Sequence, residues 1–240
     1  MLARLDHLVL LVRDLGEAAL EHERLGFTVT PGGEHADGLT RNALIPFADG
    51  SYVELIAFLD PEDPTDNVWN WRPFAALGGG LIDYCAASDD LDGDVRRLRA
   101  EGFEVDDPTS GGRTLPGGEE ILWRVARIRQ EGRVLPFLIE DQTPRGLRVP
   151  SGPAAAHPNG ARGISRLEIA APDAEEAADS YASLTGASHE NGLRIGSCAV
   201  EIVDLKDGSR AGNRQRSPRA GPLSVILDAG GTKVIRLPAR

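Results

Sequence analysis

Two side chains in the first quarter of the chain are of types that do chemistry when buried. His7 lies in Asp6-His7-Leu8-Val9 and Glu54 in Tyr52-Val53-Glu54-Leu55-Ile56, both among apolar neighbours. An imidazole and a carboxylate so placed make either a hydrogen-bonded pair or two ligands of a divalent transition metal. A working metal centre usually takes three protein ligands and keeps a position open. An unpaired carboxylate buried beside Tyr52, Ile56 and Phe58 is costly and its pKa rises, so Glu54 demands a partner, with His7 the first candidate.

The elements around these residues read as a repeated unit. Residues 5–12 are apolar on both faces, the pattern of a strand inside a sheet with cover on each side. Asp14 stands at an N-cap, and Leu15, Ala18, His22 and Leu25 share one helical face that Gly26 ends. His22 on that face is expected to be a packed core residue. Residues 27–30 predict a second strand closed by Pro31-Gly32-Gly33. Residues 43–47 predict a third, Asp49-Gly50 a turn and residues 52–58 a fourth, giving β-α-β-β-β.

A connection over residues 60–72 holds Trp69 and Trp71, and then the pattern restarts. A displacement of 76 positions lays Asp14-Leu15 on Asp90-Leu91 and Gly26-Phe27 on Gly102-Phe103. Residues 81–87, 121–129 and 134–139 supply strands of this second copy. A proline-rich stretch follows, and Gly163-Ile164-Ser165-Arg166 opens a third copy with a helix capped by Asp173 and the strand Val200-Glu201-Ile202. The expected fold is α+β, built of repeated β-α-β-β-β modules forming a cupped mixed sheet. The modules span 1–60 and 78–142, a linker 143–162, and a third, degenerate module 163–240. Each module leaves one sheet face open, so at least two must pair, within the chain or as a homodimer.

The net charge of −11 opposes nucleic-acid binding, which needs a basic footprint. The basic run at 210–219 reads as a solvated loop. No apolar run reaches membrane-spanning length and no leader pattern opens the chain, so a cytoplasmic location is expected. Cys85 and Cys198 lack a C-x-x-C partner and read as buried small hydrophobes. There is no G-x-G-x-x-G after a strand, no phosphate loop, no nucleophile elbow and no H-E-x-x-H, so neither a nucleotide cofactor nor serine-type hydrolysis is expected.

Asp6-His7-Leu8-Val9, Gly26-Phe27 and Val53-Glu54-Leu55 together resemble the vicinal oxygen chelate superfamily, which includes glyoxalase I, extradiol dioxygenases and bleomycin-resistance proteins. Pro31-Gly32-Gly33-Glu34-His35, Asn42, Leu135-Pro136-Phe137-Leu138-Ile139 and His157-Pro158-Asn159-Gly160 are similar to its glyoxalase-like domain branch. The resemblance implies a divalent metal (Zn, Mn, Fe or Ni) held near the start of each first strand and within each last strand. His7 and Glu54 match two of those positions. The second copy offers Asp83 at the first and Phe137, or Pro136 in a slipped register, at the second. The third offers Arg166 and Glu201, expected as a structural ion pair.

The implied ligand is a small oxygenated molecule, with metal-assisted lyase, isomerase or dioxygenase chemistry. The alternative is metal-free sequestration of a small compound. His35, Asn42, Arg124, Phe137 and His157 are the candidate substrate contacts, although His157 also reads as a residue that pins the linker. Fold alone does not choose between these activities.

Overall fold

The computed structural model describes residues 2–115, 117–186, 192–205, 219–230 and 234–238; most of the 210–219 run lies outside them. The His7 strand, β1 (Arg4–Leu11), runs through the middle of the molecule and is almost entirely buried. Then follow α1 (Leu15–Arg24), β2 (Thr30–His35), β3 (Thr40–Pro46) and β4 (Tyr52–Phe58). A short α2 (Arg72–Ala76) leads to β5 (Gly80–Ala87), α3 (Leu91–Ala100), β6 (Thr109–Thr114), β7 (Glu120–Ala126) and β8 (Phe137–Asp141). The helices start where the side chains cap them. Asp14 accepts from the Glu17 N–H and Asp90 from the Gly93 N–H, each cap contributing about 1 kcal/mol.

These eight strands close into a barrel in the order β1-β4-β3-β2-β6-β7-β8-β5. One closing seam is the antiparallel pairing of β1 with β5, which sets His7 against Cys85 and Val9 against Asp83. That pattern is symmetric: exchanging the two strands carries His7 onto Asp83. The parallel registers agree, with Val9 beside Glu54 on one side and Cys85 beside Phe137 on the other. Phe137, not Pro136, therefore occupies the second-half position of Glu54.

The other seam is short, joining β2 to β6 through Glu34–Thr114 and His35–Arg113. Here the structure departs from the expected strands. The second strand is not residues 27–30 closed by Pro31-Gly32-Gly33; it runs through those residues to His35. Glycine permits this because a Cβ on Gly32 would sit 1.9 Å from Asn42 Oδ1, and one on Gly33 2.1 Å from the Thr114 carbonyl oxygen. In the second copy the matching segment after Gly102 makes only a Val105–Ile128 bridge. The strand forms later, where a Cβ on Gly111 would lie 2.4 Å from Trp123 Nε1.

The stretch expected as a linker is also structured. It holds α4 (Arg145–Arg148) and a 3₁₀ turn (Gly152–Ala155), and Arg148 is only 1% exposed. The third unit comprises β9 (Gly163–Ala171), α5 (Ala174–Thr185), β10 (Arg194–Ile195), β11 (Cys198–Asp204), β12 (Gly221–Asp228) and β13 (Val234–Pro238). Its sheet order is β10-β11-β9-β12-β13. β11 runs parallel to β9 as β4 does to β1, and β12 runs antiparallel to β9 as β5 does to β1. The unit thus repeats the β1–β4 arrangement within a five-stranded sheet, with a hairpin standing where β5 stands in the barrel.

Its inner residues Leu167, Ile169, Val225 and Leu227 join Leu5, Leu8 and Tyr84 in one core. The Tyr84 and Tyr181 hydroxyls bond across that contact at 2.7 Å. Both cysteines are buried and unpaired, and burial raises both thiols, Cys198 to about 12. His22 Nδ1 donates to the Ala18 carbonyl at 2.8 Å on the inner face of α1. Among the described residues no helix is long and apolar enough to cross a membrane.

Candidate functional site

Alternation along β1 and β4 turns His7, Val9, Glu54 and Ile56 into the barrel, where His7, Glu54 and Ile56 line a cavity of about 620 Å³. Its apolar wall is built from Ile56, Trp69, Trp71, Trp123, Val125, Phe137 and Ile139. Its polar cluster is His7, His35, Asn42, Tyr52, Glu54, Arg113 and Arg148. His7 is clamped by rings, stacking on Tyr52 at 4.6 Å and meeting the Phe137 edge at 5.4 Å.

Behind His7 lies a charge network that the sequence reading missed. A register shift in β1 between Leu5 and His7 brings Asp6 and His7 together, although neighbours in a regular strand point to opposite faces. His7 Nδ1 is 2.8 Å from Asp6 Oδ1. Arg148 grips Asp6 with two parallel bonds of 2.9 and 3.0 Å, and its remaining N–H groups go to Tyr52 Oη and to Asp141. Arg145 also reaches Asp6. Burial alone would raise the Asp6 pKa, but the Arg148 charge and the His7 and Arg148 hydrogen bonds hold it well below the usual carboxylate range. Asp6 is therefore an acceptor only, so His7 Nδ1 carries a proton and donates to it, and Nε2 faces the cavity. The sequence signal for Asp6 was a carboxylate beside His7 in an otherwise apolar strand. Arg148, in a proline-rich stretch, gave none.

In front of His7, Nε2 lies 3.6 Å from Glu54 Oε2, and His35 Nε2 lies 3.5 Å from Glu54 Oε1. His35 is steadied by Nδ1 at 2.8 Å from Thr40 Oγ1. Asn42 donates to Glu54 Oε1 at 2.6 Å, and its Nδ2 is also 3.4 Å from His35 Nε2. Burial works to raise the Glu54 pKa, yet the His35 hydrogen bond, the charges of His7 and His35, and Asn42 bring it down to about 2. Two ring nitrogens thus face one carboxylate, each against a different oxygen, and the three residues do not bring one donor atom each within 4.8 Å of one another. Ligands about 2.0–2.2 Å from a common ion stand roughly 3–3.5 Å apart, so the donor types suit a divalent transition metal, and the three side chains would have to draw together to hold one. The outward bonds of His7 to Asp6 and of Glu54 to Asn42 are the supports that metal ligands carry.

A cluster that does bring three donor atoms within 4.8 Å of one another is Asp6, His7 and Cys85. It does not suit a metal: the Asp6 oxygens are already taken by guanidinium groups, and burial keeps the Cys85 thiol protonated.

The other candidates fall as follows. Asp83 is on the inner face, but accepts from Trp71 Nε1 at 3.0 Å, from the Tyr84 N–H at 2.9 Å and pairs with Arg133 at 3.2 Å. Burial raises its pKa against the opposing effect of Arg133. It is not gathered with His7 and Glu54. Phe137 lines the cavity. Arg124 does not; it points at α3 and pairs with Asp92 at 2.8 Å and Glu140 at 3.4 Å, because alternation along β7 gives the inner face to Trp123 and Val125. His157 lies outside the cavity as well, accepting from the Thr28 N–H at 2.9 Å and bonding the Pro46 carbonyl at 2.8 Å. It pins the 3₁₀ segment to β3. Arg166 and Glu201 pair at 2.8 Å on the half-exposed face of the third unit. Arg113 was not singled out in the sequence.

Comparison with known proteins agrees with this architecture. The structure is similar to that of a hypothetical protein from Staphylococcus aureus, with a TM-score of 0.72, 16% identity and 97% of each chain covered. It is also similar to part of a xylose isomerase-like TIM barrel/4-hydroxyphenylpyruvate dioxygenase fusion protein, with a TM-score of 0.54 and 16% identity. That match takes in 97% of this chain and 37% of the other. A methylmalonyl-CoA epimerase from Mycobacterium tuberculosis aligns more loosely, with a TM-score of 0.43 and 23% identity over 59% of this chain and 90% of that one. At these identities the likeness concerns the fold. A search of curated proteins found no match. The family model of the glyoxalase-like domain matches residues 5–185. With its repeated β-α-β-β-β modules and its barrel-enclosed cavity, the chain belongs to the glyoxalase-like domain family, within the vicinal oxygen chelate superfamily.

Proposed function

We propose that the protein is a metal-dependent enzyme of the vicinal oxygen chelate type, acting on a small oxygenated molecule inside the barrel, with His7, His35 and Glu54 as the protein ligands. The observation that carries this reading is the convergence of His7 Nε2 and His35 Nε2 on the two Glu54 oxygens at 3.6 and 3.5 Å. With its Nδ1–H given to Asp6, His7 turns Nε2 towards the Glu54 carboxylate, and two ring nitrogens about one carboxylate are a donor set that a divalent cation takes. His35 replaces Asp83 in the ligand set, since Asp83 is engaged by Trp71 and Arg133.

A bound divalent ion would supply Lewis-acid stabilisation of an enolate or enediolate, or chelation of a vicinal diol. The residues of the chain do the rest. Asp6 fixes the His7 tautomer, Asn42 orients Glu54, and Phe137, Ile56 and Val125 exclude water from the polar cluster.

Metal content by elemental analysis, and titration of zinc, manganese and nickel into chelator-treated protein by calorimetry, test this. The wild type and Asp83→Asn are expected to take up one ion, and His35→Ala and Glu54→Gln to lose it. Loss in Asp83→Asn with retention in His35→Ala would overturn the ligand set. No uptake by the wild type would overturn the enzyme reading and leave the metal-free binder, with Glu54 satisfied by Asn42 and a protonated imidazole.

A further inference from the structure

One buried charge in the cavity is left over once the proposed ligands and their supports are assigned. Arg113 lines the cavity, is 3% exposed, and stands opposite His35 across the β2–β6 seam. Arg148, the other buried arginine there, has every N–H directed to an oxygen of Asp6, Asp141 or Tyr52. Arg113 is unlike it. One of its N–H groups goes to the Arg148 carbonyl at 2.6 Å and another reaches Asn42 Oδ1 only at 3.5 Å. Its Nε–H is buried without a partner, and it has no carboxylate salt bridge among the described residues.

A guanidinium removed from water without a counter-charge is expensive, and a fork with unused donors matches a planar pair of oxygens. Burial lowers its pKa despite the nearby Tyr52 and Glu54, which is the same cost seen from the titration side. Asn42 links the two centres, touching Arg113 through Oδ1 and Glu54 through Nδ2. An anion on Arg113 therefore lies one side chain away from the His7–His35–Glu54 cluster.

We propose that Arg113 is the anion-recognition residue of the cavity and that the substrate is a small carboxylic acid. Its carboxylate docks on the Arg113 guanidinium, and an oxygen on the adjoining carbon reaches the cluster. This rests on the reading of that cluster as a metal-holding site, and it adds the charge and the bearing of the molecule that enters. The room for it is the cavity itself, which Gly111 and Gly112 of β6 line beside Arg113.

The test is binding of mandelate, lactate and pyruvate against their uncharged amides, followed by calorimetry and thermal shift. It is run with zinc-loaded protein and, separately, with chelator-treated protein. At least one acid is expected to bind about tenfold or more tighter than its amide, as charge-assisted hydrogen bonds require. Arg113→Gln is expected to bring acid and amide to within about twofold while taking up zinc as the wild type does, and Arg113→Lys to restore part of the preference.

Equal binding of every acid and its amide by the wild type overturns the proposal, and that comparison needs no variant to fold. So does an Arg113→Gln protein that keeps the preference. A preference that persists without zinc and vanishes in Arg113→Gln supports the anion site even where zinc uptake fails, so the two readings fail separately.

Discussion

The two halves of the barrel share a backbone and differ in what they put on its inner face. In the first half, β1 and β4 present His7 and Glu54; across the seam, β5 and β8 present Asp83 and Phe137 at the matching positions. His7 is backed by Asp6 and Arg148, so its Nε2 is held towards the cavity. Asp83 is turned inward against Trp71 and Arg133, and Phe137 supplies an apolar wall against the His7 ring. The third unit repeats the frame once more, but its face is open, and there Arg166 and Glu201 neutralise each other in solvent. The fold thus fixes where chemistry can be placed, while burial and the residues behind the site decide whether it is. One half holds the reactive groups and the other encloses them.

Substitutions that remove the backing charge from each half should separate them. Arg148→Met leaves Asp6 and Asp141 buried without their partner and is expected to cost about 3–5 kcal/mol, read as a lower urea midpoint at unchanged slope. The matching change in the second half, Arg133→Met, should cost only about 1–2 kcal/mol. The Asp83 carboxyl is already raised by burial and takes up a proton when its partner goes. Equal losses in the two variants would break the distinction.

Asp6→Asn keeps the shape behind His7 but removes the charge that fixes its tautomer. Metal affinity measured by calorimetry should fall about 10–100-fold. Unchanged affinity would show that the supporting network serves stability alone.

His157 offers a pH test outside the cavity. It accepts the Thr28 N–H on Nδ1, and burial holds its pKa below the ordinary 6.5, against the Pro46 bond. The unfolded chain therefore takes up the proton more readily. The stabilisation is complete above the unfolded value and is lost as pH falls from there through the folded value. Unfolding curves across that window should show the decline, and His157→Asn should flatten it.

The smallest effect belongs to the third unit. Arg166→Ala removes a pair whose side chains are about half exposed, and should change stability by less than about 1 kcal/mol, with the loss shrinking further in high salt.

Much of the frame was readable from local pattern. Asp14 and Asp173 cap helices as their positions suggested, and of Asp89 and Asp90, either of which could cap α3, Asp90 does; capping depends on a few consecutive residues. The fourth strand falls at Tyr52–Phe58 as read, since its apolar run is bounded by a turn. The strands at the short seam were harder. Pro31-Gly32-Gly33 carries the signature of a turn, yet it pairs within the sheet because Asn42 and the Thr114 backbone pack into the space a Cβ would fill. Arg148 was invisible for a related reason: its surroundings in sequence are those of a linker, while its partners Asp6 and Asp141 come from two other strands.

By itself, the sequence determined that one module carries an imidazole and a carboxylate on inward-facing strand positions, and that neither later copy keeps both. Alternation and repeat spacing are local properties, so they survive without coordinates. Tertiary structure alone decided the remaining donor and the fate of the rest. The β1 irregularity set Asp6 behind His7, the pairing of β2, β3 and β4 brought His35 to Glu54, and the β2–β6 seam stranded Arg113 beside them. Each of these depends on strand registers that gather side chains in the buried wall of the cavity. There an unpaired charge is costly enough to demand a partner.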